Sequence, residues 1–283
     1  MMNVKLNLRM SCALAAAIAG CLALPEGSSG QAPVSASPLV IGDSYTIESE
    51  ALGETRRINV YAPAGYAESD ARLPVLYMPD GGIYEDFLHV AGLVQISSLN
   101  GTMRPFLLVG IENSQRRRDL TGPTTNAEDR QIAPVVGGSA AFRGFIRDEL
   151  MPFIAAHYRI TDEAAIVGES LAGLFVVETL LLEPDLFDTY IAFDPSLWWN
   201  DARLLERAAD PAQAAGPKRT LYLASSNEPE ITALTARLAE LLRTHAADSL
   251  AVHYSPMPDE THATIYHPAA LRAFRTLFGA APE

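Results

Sequence analysis

The sequence predicts an α/β fold with a mainly parallel central sheet and helices on both faces. Two observations carry this prediction. Short apolar runs of strand length alternate along the chain with longer segments of helical periodicity. The middle runs are continuously apolar instead of alternating, as strands covered on both faces are.

Residues 45–50 and 57–61 come first, alternating apolar and polar around a turn at Gly53. They predict an antiparallel hairpin at a sheet edge. Residues 74–78 and 106–111 follow as continuous apolar runs, and 164–167, 190–193 and 220–224 continue the series. Residues 250–254 alternate and predict the last strand. Within 140–157, Phe142, Phe145, Ile146 and Leu150 fall on one helical stripe. Residues 171–182 are almost wholly apolar and predict a buried helix. Residues 231–242 and 268–278 are amphipathic. Ligands of such sheets sit beyond the carboxyl ends of the strands, so polar residues just after each strand are the candidates for function.

Before this core comes a leader. Lys5 and Arg9 precede a small, apolar run over 11–20, too short for a bilayer span of roughly 20 residues. Residues 1–20 are therefore expected to be an export signal. Ile18-Ala19-Gly20-Cys21 resembles a bacterial lipobox, which implies a lipid-modified Cys21 and a periplasmic or membrane-anchored protein. An ordinary signal peptide cut slightly further on is the alternative. Residues 21–38, rich in Pro, Ser, Gly and Ala, read as a flexible tether. Residues 39–283 are then expected to form one domain, a normal size for a single α/β core.

The chain has 283 residues, 48% of them hydrophobic and 19% charged, enough apolar surface for a sizeable core. Without Lys5 and Arg9, 19 basic residues face 34 acidic ones. Such a balance repels phosphates and argues against nucleic acid as a partner. Both cysteines, Cys12 and Cys21, fall in or at the end of the leader. The mature domain is expected to have neither an internal disulfide nor a Cys-based zinc site, and no metal or organic cofactor is implied.

The chemistry concentrates at Gly168-Glu169-Ser170-Leu171-Ala172-Gly173, between an expected strand and an expected helix. A sharp strand-to-helix turn crowds its flanks, and Gly168 and Ala172 supply small residues two positions either side of Ser170. That context points to Ser170 as a nucleophile; a helix N-cap serine is the competing reading. A serine needs a base. Of six histidines, His262 follows the last expected strand in a polar loop, and His267 leads into the final helix. His262 is the expected base.

The acid is expected after the strand over 220–224, where Glu228 or Glu230 could hold the imidazole; Glu228 has the better reach, since Glu230 follows Pro229 into a helix. Asp194 and Asp201, after the preceding strand, are outside candidates. One oxyanion donor is expected at the backbone N–H of Leu171, the other at Gly82 or Ile83 beside the paired glycines.

With these residues in hand, the chain resembles the esterase branch of the α/β-hydrolase superfamily that holds enterochelin-type siderophore esterases, S-formylglutathione hydrolases (esterase D-like), feruloyl and acetylxylan esterases, and mycolyltransferases. The matching segments are Tyr77-Met78-Pro79-Asp80-Gly81, Arg118-Asp119-Leu120-Thr121, the Ser170 segment, Asp194-Pro195-Ser196-Leu197-Trp198-Trp199 and Glu260-Thr261-His262. Pro79 and Glu169 depart from it; many members have another residue at the first position, and His is common at the second. The resemblance implies an α/β-hydrolase fold, catalysis by Ser170 and His262, and Glu228 at the family's position for a Glu.

Substrate hints are fewer. Arg116, Arg117 and Arg118 form a basic cluster able to hold an anionic substrate such as a catecholate siderophore, with Arg118 as the expected contact; a solvated loop is the alternative. Trp199 is expected to wall an aromatic acyl pocket, against the alternative of core packing. The function expected is hydrolysis of a small-molecule carboxylic ester, of siderophore or aryl type, through an acyl-enzyme. Acyl transfer to a sugar or lipid alcohol, and a surface binding protein without turnover, are the alternatives.

Overall fold

The computed structural model describes residues 35–210, 218–246 and 249–279. The expected leader and Cys21 lie outside the described residues. The α/β unit runs from residue 41.

Its strands are β1 (Asp43–Ser49), β2 (Glu54–Tyr61), β3 (Leu73–Pro79), β4 (Leu107–Ile111), β5 (Ile160–Glu169), β6 (Thr189–Phe193), β7 (Arg219–Ser225) and β8 (Leu250–Pro256). They form one sheet in the order β1-β2-β4-β3-β5-β6-β7-β8. β1 pairs antiparallel with β2, in register Tyr45 to Ile58, and β2 antiparallel with β4. Every other pairing is parallel. The expected edge hairpin and parallel core are both present. β3, β4 and β6 are buried along their whole lengths, which is why they read as unbroken apolar runs.

The helices are α1 (Phe87–Leu99), α2 (Arg116–Asp119), α3 (Ser139–Phe145), α4 (Met151–His157), α5 (Leu171–Leu182), α6 (Trp199–Ala202), α7 (Leu204–Ala208), α8 (Pro229–His245) and α9 (Tyr266–Leu277). The single helix expected over 140–157 is α3 and α4 joined by a π turn over Ile146–Leu150. Pro152 explains the wider turn. It lacks an N–H, and its ring crowds the carbonyl four residues back.

Two apolar clusters sandwich the sheet. One joins Phe142, Phe145 and Phe175 to Val75, Val109 and Leu221. The other sets Val90, Val94, Phe274 and Phe278 against Leu76, Leu108 and Val167. β5 lies near the middle of the sheet, with α5 leaving its carboxyl end. α5 is buried from Leu171 to Leu181, as an almost wholly apolar helix must be.

Candidate active site

The turn after β5 is strained. Ser170 has φ 59° and ψ −119°, a region that side chains rarely occupy. Asp80, after β3, and Asp194, after β6, also have positive φ, at 56° and 42°. Three of the six non-glycine residues with positive φ among the described residues thus sit at the carboxyl ends of neighbouring strands; the other three are Asn200, Asp201 and Ala202. Gly168 makes the Ser170 turn possible: a Cβ there would lie 2.6 Å from the Ala172 carbonyl carbon and 2.7 Å from its Cβ. Backbone bonds hold the turn against β6, from Ser170 N–H to Phe193 O at 3.0 Å and from Ser196 N–H to Ser170 O at 3.0 Å.

His262 stands between Ser170 and a carboxylate. Its Nε2 is 3.1 Å from Ser170 Oγ, and its Nδ1 is 3.0 Å from Asp194 Oδ2. Asp194 is fully buried, and its Oδ1 accepts the Ser226 N–H at 2.6 Å. The His262 loop is tied to β7 by Asn227 N–H donating to Glu260 O and Met257 N–H donating to Ser225 O. The hydrogen bond to Asp194 raises the proton affinity of the ring; burial opposes the rise, and the nearby Glu169 charge adds to it.

The acid position differs from expectation. Glu228 makes no hydrogen bond to His262. It is exposed at the start of α8, where its carbonyl accepts the Thr232 N–H. Glu230 is exposed in the first turn of that helix, and Asp201 accepts a hydrogen bond from Asn126. β6 pairs directly with β5, which sets Asp194, the residue after β6, close to Ser170 and within hydrogen-bond reach of the ring. His267 packs near His89, with ring centroids 5.6 Å apart, away from this arrangement.

The oxyanion side is also rearranged. Leu171 opens α5, so its N–H is one of the free donors of a helix start. Gly82 N–H is already engaged, donating to Glu85 Oε2 at 2.7 Å, with Asn113 Nδ2 donating to the other oxygen. Ile83 N–H has no hydrogen-bond partner among the described residues, as is also true of Tyr84 N–H, so Ile83 is an available donor of this loop.

Neither expected substrate contact is free to serve. Arg118 donates to both oxygens of Glu54 and to Asp119, within a network that includes the fully buried Arg56. Arg117 donates to the Ile132 carbonyl. Arg116 is held by Asp80 through two bonds of 2.7 and 2.8 Å. Trp199 is buried, and its indole N–H donates to Gly122 O at 2.9 Å, so it serves packing. Its half-buried neighbour Trp198 faces an open cavity of about 660 Å³ lined with Asn126, Asp201 and Glu230.

Sequence reasoning passed over Glu169 as a contact of His262. Its Oε1 is 3.3 Å from Nδ1. Burial pushes its carboxyl up to about 7, against the lowering by His262 and Arg116. Glu169, Asp194 and His262 each bring one possible ligand atom to within 4.8 Å of the others. A cation there would displace the Nδ1 hydrogen that orients the ring, so the cluster is suited to handling protons.

A mainly parallel sheet of this order, with a strained serine after its central strand and a histidine after its last, defines an α/β hydrolase. Residues 49–263 match the family described as "Putative esterase", and the chain belongs to that family. The ferri-bacillibactin esterase of Bacillus subtilis (strain 168) is 35% identical over 159 residues, 51% of this chain and 53% of that protein. The siderophore triacetylfusarinine C esterase of Aspergillus fumigatus is 31% identical over 192 residues, 60% and 61% of the two chains. The matched stretches thus span between half and two thirds of these relatives. An IroE-like serine hydrolase from Shewanella oneidensis superposes with a TM-score of 0.75 at 31% identity, covering 84% of this chain and 80% of that one.

Proposed function

We propose that this protein hydrolyses carboxylic esters of siderophore type through an acyl-enzyme on Ser170. The observation that carries the reading is His262, within hydrogen-bond reach of Ser170 Oγ on one side and of buried Asp194 on the other. In the proposed reaction, Ser170 Oγ attacks the ester carbonyl while its proton passes to His262 Nε2. The Leu171 and Ile83 N–H groups receive the charge on the carbonyl oxygen. The alcohol leaves with the proton from Nε2. Water then attacks the acyl group by the same route and frees Ser170.

The siderophore class is supported by the substrates that two relatives' names print, a ferri-bacillibactin and a triacetylfusarinine C. Export, with Cys21 lipid-modified, belongs to the same proposal and is supported by Lys5, Arg9 and the apolar run before Cys21.

The test is a fluorophosphonate probe on wild type and Ser170→Ala, followed by turnover of cyclic trilactones, hydroxamate esters and aryl acetates. Labelling and turnover in wild type, with at least about 10³-fold loss in the variant, are expected. A wild type that is neither labelled nor active would refute the reading. Acyl transfer would show instead as ester products when an alcohol acceptor is added.

A further inference from the structure

Glu169 ends β5, one residue before Ser170. Its side chain is 16% exposed, and its Oε1 lies 3.3 Å from the same Nδ1 that Asp194 Oδ2 approaches at 3.0 Å. The reaction above uses one carboxylate at that nitrogen, and the structure has two. Glu169 Oε1 is buried and accepts no hydrogen bond. An unmet buried acceptor costs stability, so packing alone does not account for its place.

The charged and titratable groups facing Glu169 are His262, Arg116, Asp194, Asp80 and the buried phenol of Tyr266. His262 in turn faces Asp194, Glu169 and, more weakly, Glu228. Arg116 is clamped by Asp80. The cation left for Glu169 to gain is the imidazolium that forms when Ser170 gives up its proton.

We propose that Glu169 is a second positioning carboxylate of His262, pairing with the ring at Nδ1 when the imidazolium forms. The inference rests on the hydrolase reading above. A neutral imidazole offers one hydrogen at Nδ1, and Asp194, at the shorter distance, takes it. Proton transfer to Nε2 makes the whole ring cationic, and Glu169 then interacts with charge absent from the ground state. Interactions of that kind accelerate the chemical step. The Glu169 and His262 charges lie close enough to act on each other's titration, so both bear on the acidic limb of the pH profile.

Glu169→Gln keeps the shape and removes the charge. The profile of kcat/KM with an aryl acetate is measured from acid to alkaline pH, beside the rate of fluorophosphonate labelling of Ser170. Loss of a negative charge beside the ring lowers its proton affinity, so the acidic limb is expected to move about one unit toward lower pH. The plateau is expected to fall roughly tenfold, the equivalent of one unit of lost charge stabilisation. In an Asp194→Asn background the same change costs a larger factor, because Glu169 is then the remaining carboxylate on Nδ1.

An unmoved limb, with no extra loss in the Asp194→Asn background, would overturn the inference. A purely structural Glu169 would lower Tm without moving the limb. Should Glu169→Gln fail to fold, Glu169→Asp retracts the carboxylate by about 1.5 Å and is expected to shift the limb in the same direction by less; an unmoved limb there overturns it too. Wild-type protein that fails to label would instead remove the hydrolase reading and this inference with it.

Discussion

Replacing Asp194 by asparagine keeps the side chain's size and removes its charge. The amide has one preferred orientation, because Ser226 N–H requires an acceptor where Oδ1 now sits, 2.6 Å away. The amide oxygen must stay there, which turns the NH₂ toward His262 Nδ1. The ring is then driven to the tautomer with its hydrogen on Nε2, facing Ser170, where it cannot accept the serine proton. The charge effect adds to this. At the observed 3.0 Å and an effective dielectric near 20, carboxylate and imidazolium attract by about 5.5 kcal/mol.

His262 is 39% exposed, so solvent trims this to about 3–5 kcal/mol, or roughly 10²–10⁴ in rate. The assay is kcat/KM on an aryl acetate for Asp194→Asn, with thermal melting to confirm folding. Glu228→Gln is the paired control. Glu228 is exposed and makes no hydrogen bond to the ring, so its loss is expected to change the rate by less than about threefold. An Asp194→Asn enzyme within tenfold of wild type, or a crippled Glu228→Gln enzyme, would refute the assignment of the acid.

Three further outcomes are expected. Gly168→Ala puts a Cβ 2.6 Å from the Ala172 carbonyl carbon, so the serine turn must open; activity and Tm should fall together, and a fully active, equally stable variant would contradict the packing argument. Asp119→Asn strips charge from the buried Arg56 pair, at about 3–5 kcal/mol, which in a domain of this size lowers Tm by roughly 10 °C; a melt unchanged within a degree or two would argue against a structural role for the network that holds Arg118.

The bond to Asp194 raises the His262 pKa above 6.5, and a base works only unprotonated, so kcat/KM should fall with acid through a midpoint above 6.5. The same shift stabilises the fold fully below the unfolded pKa, and that contribution fades as pH rises through the folded one. A rate profile flat down to pH 5 would exclude this base.

The strands, the apolar helix after Ser170, the serine turn and the place of His262 in a polar loop after the last strand are legible in the sequence. These are local matters: periodicity records which faces a strand or helix buries, and small flanks record the crowding of a sharp turn. Which groups meet depends on contacts between segments far apart in the chain. Asp194, not Glu228, is the carboxylate hydrogen-bonded to His262, a contact between the segments that follow β6 and β8 that leaves no trace within either strand. Gly82 N–H is engaged because a side chain three residues on, Glu85, reaches back to bond it. Arg118 and Trp199 turned inward because Glu54 and Gly122, distant in sequence, supply their partners. Glu169 was visible in the sequence only as an unusual neighbour of the serine. Its nearness to His262 depends on a loop 93 residues further along the chain, and a distance of that kind exists only once the sheet has closed.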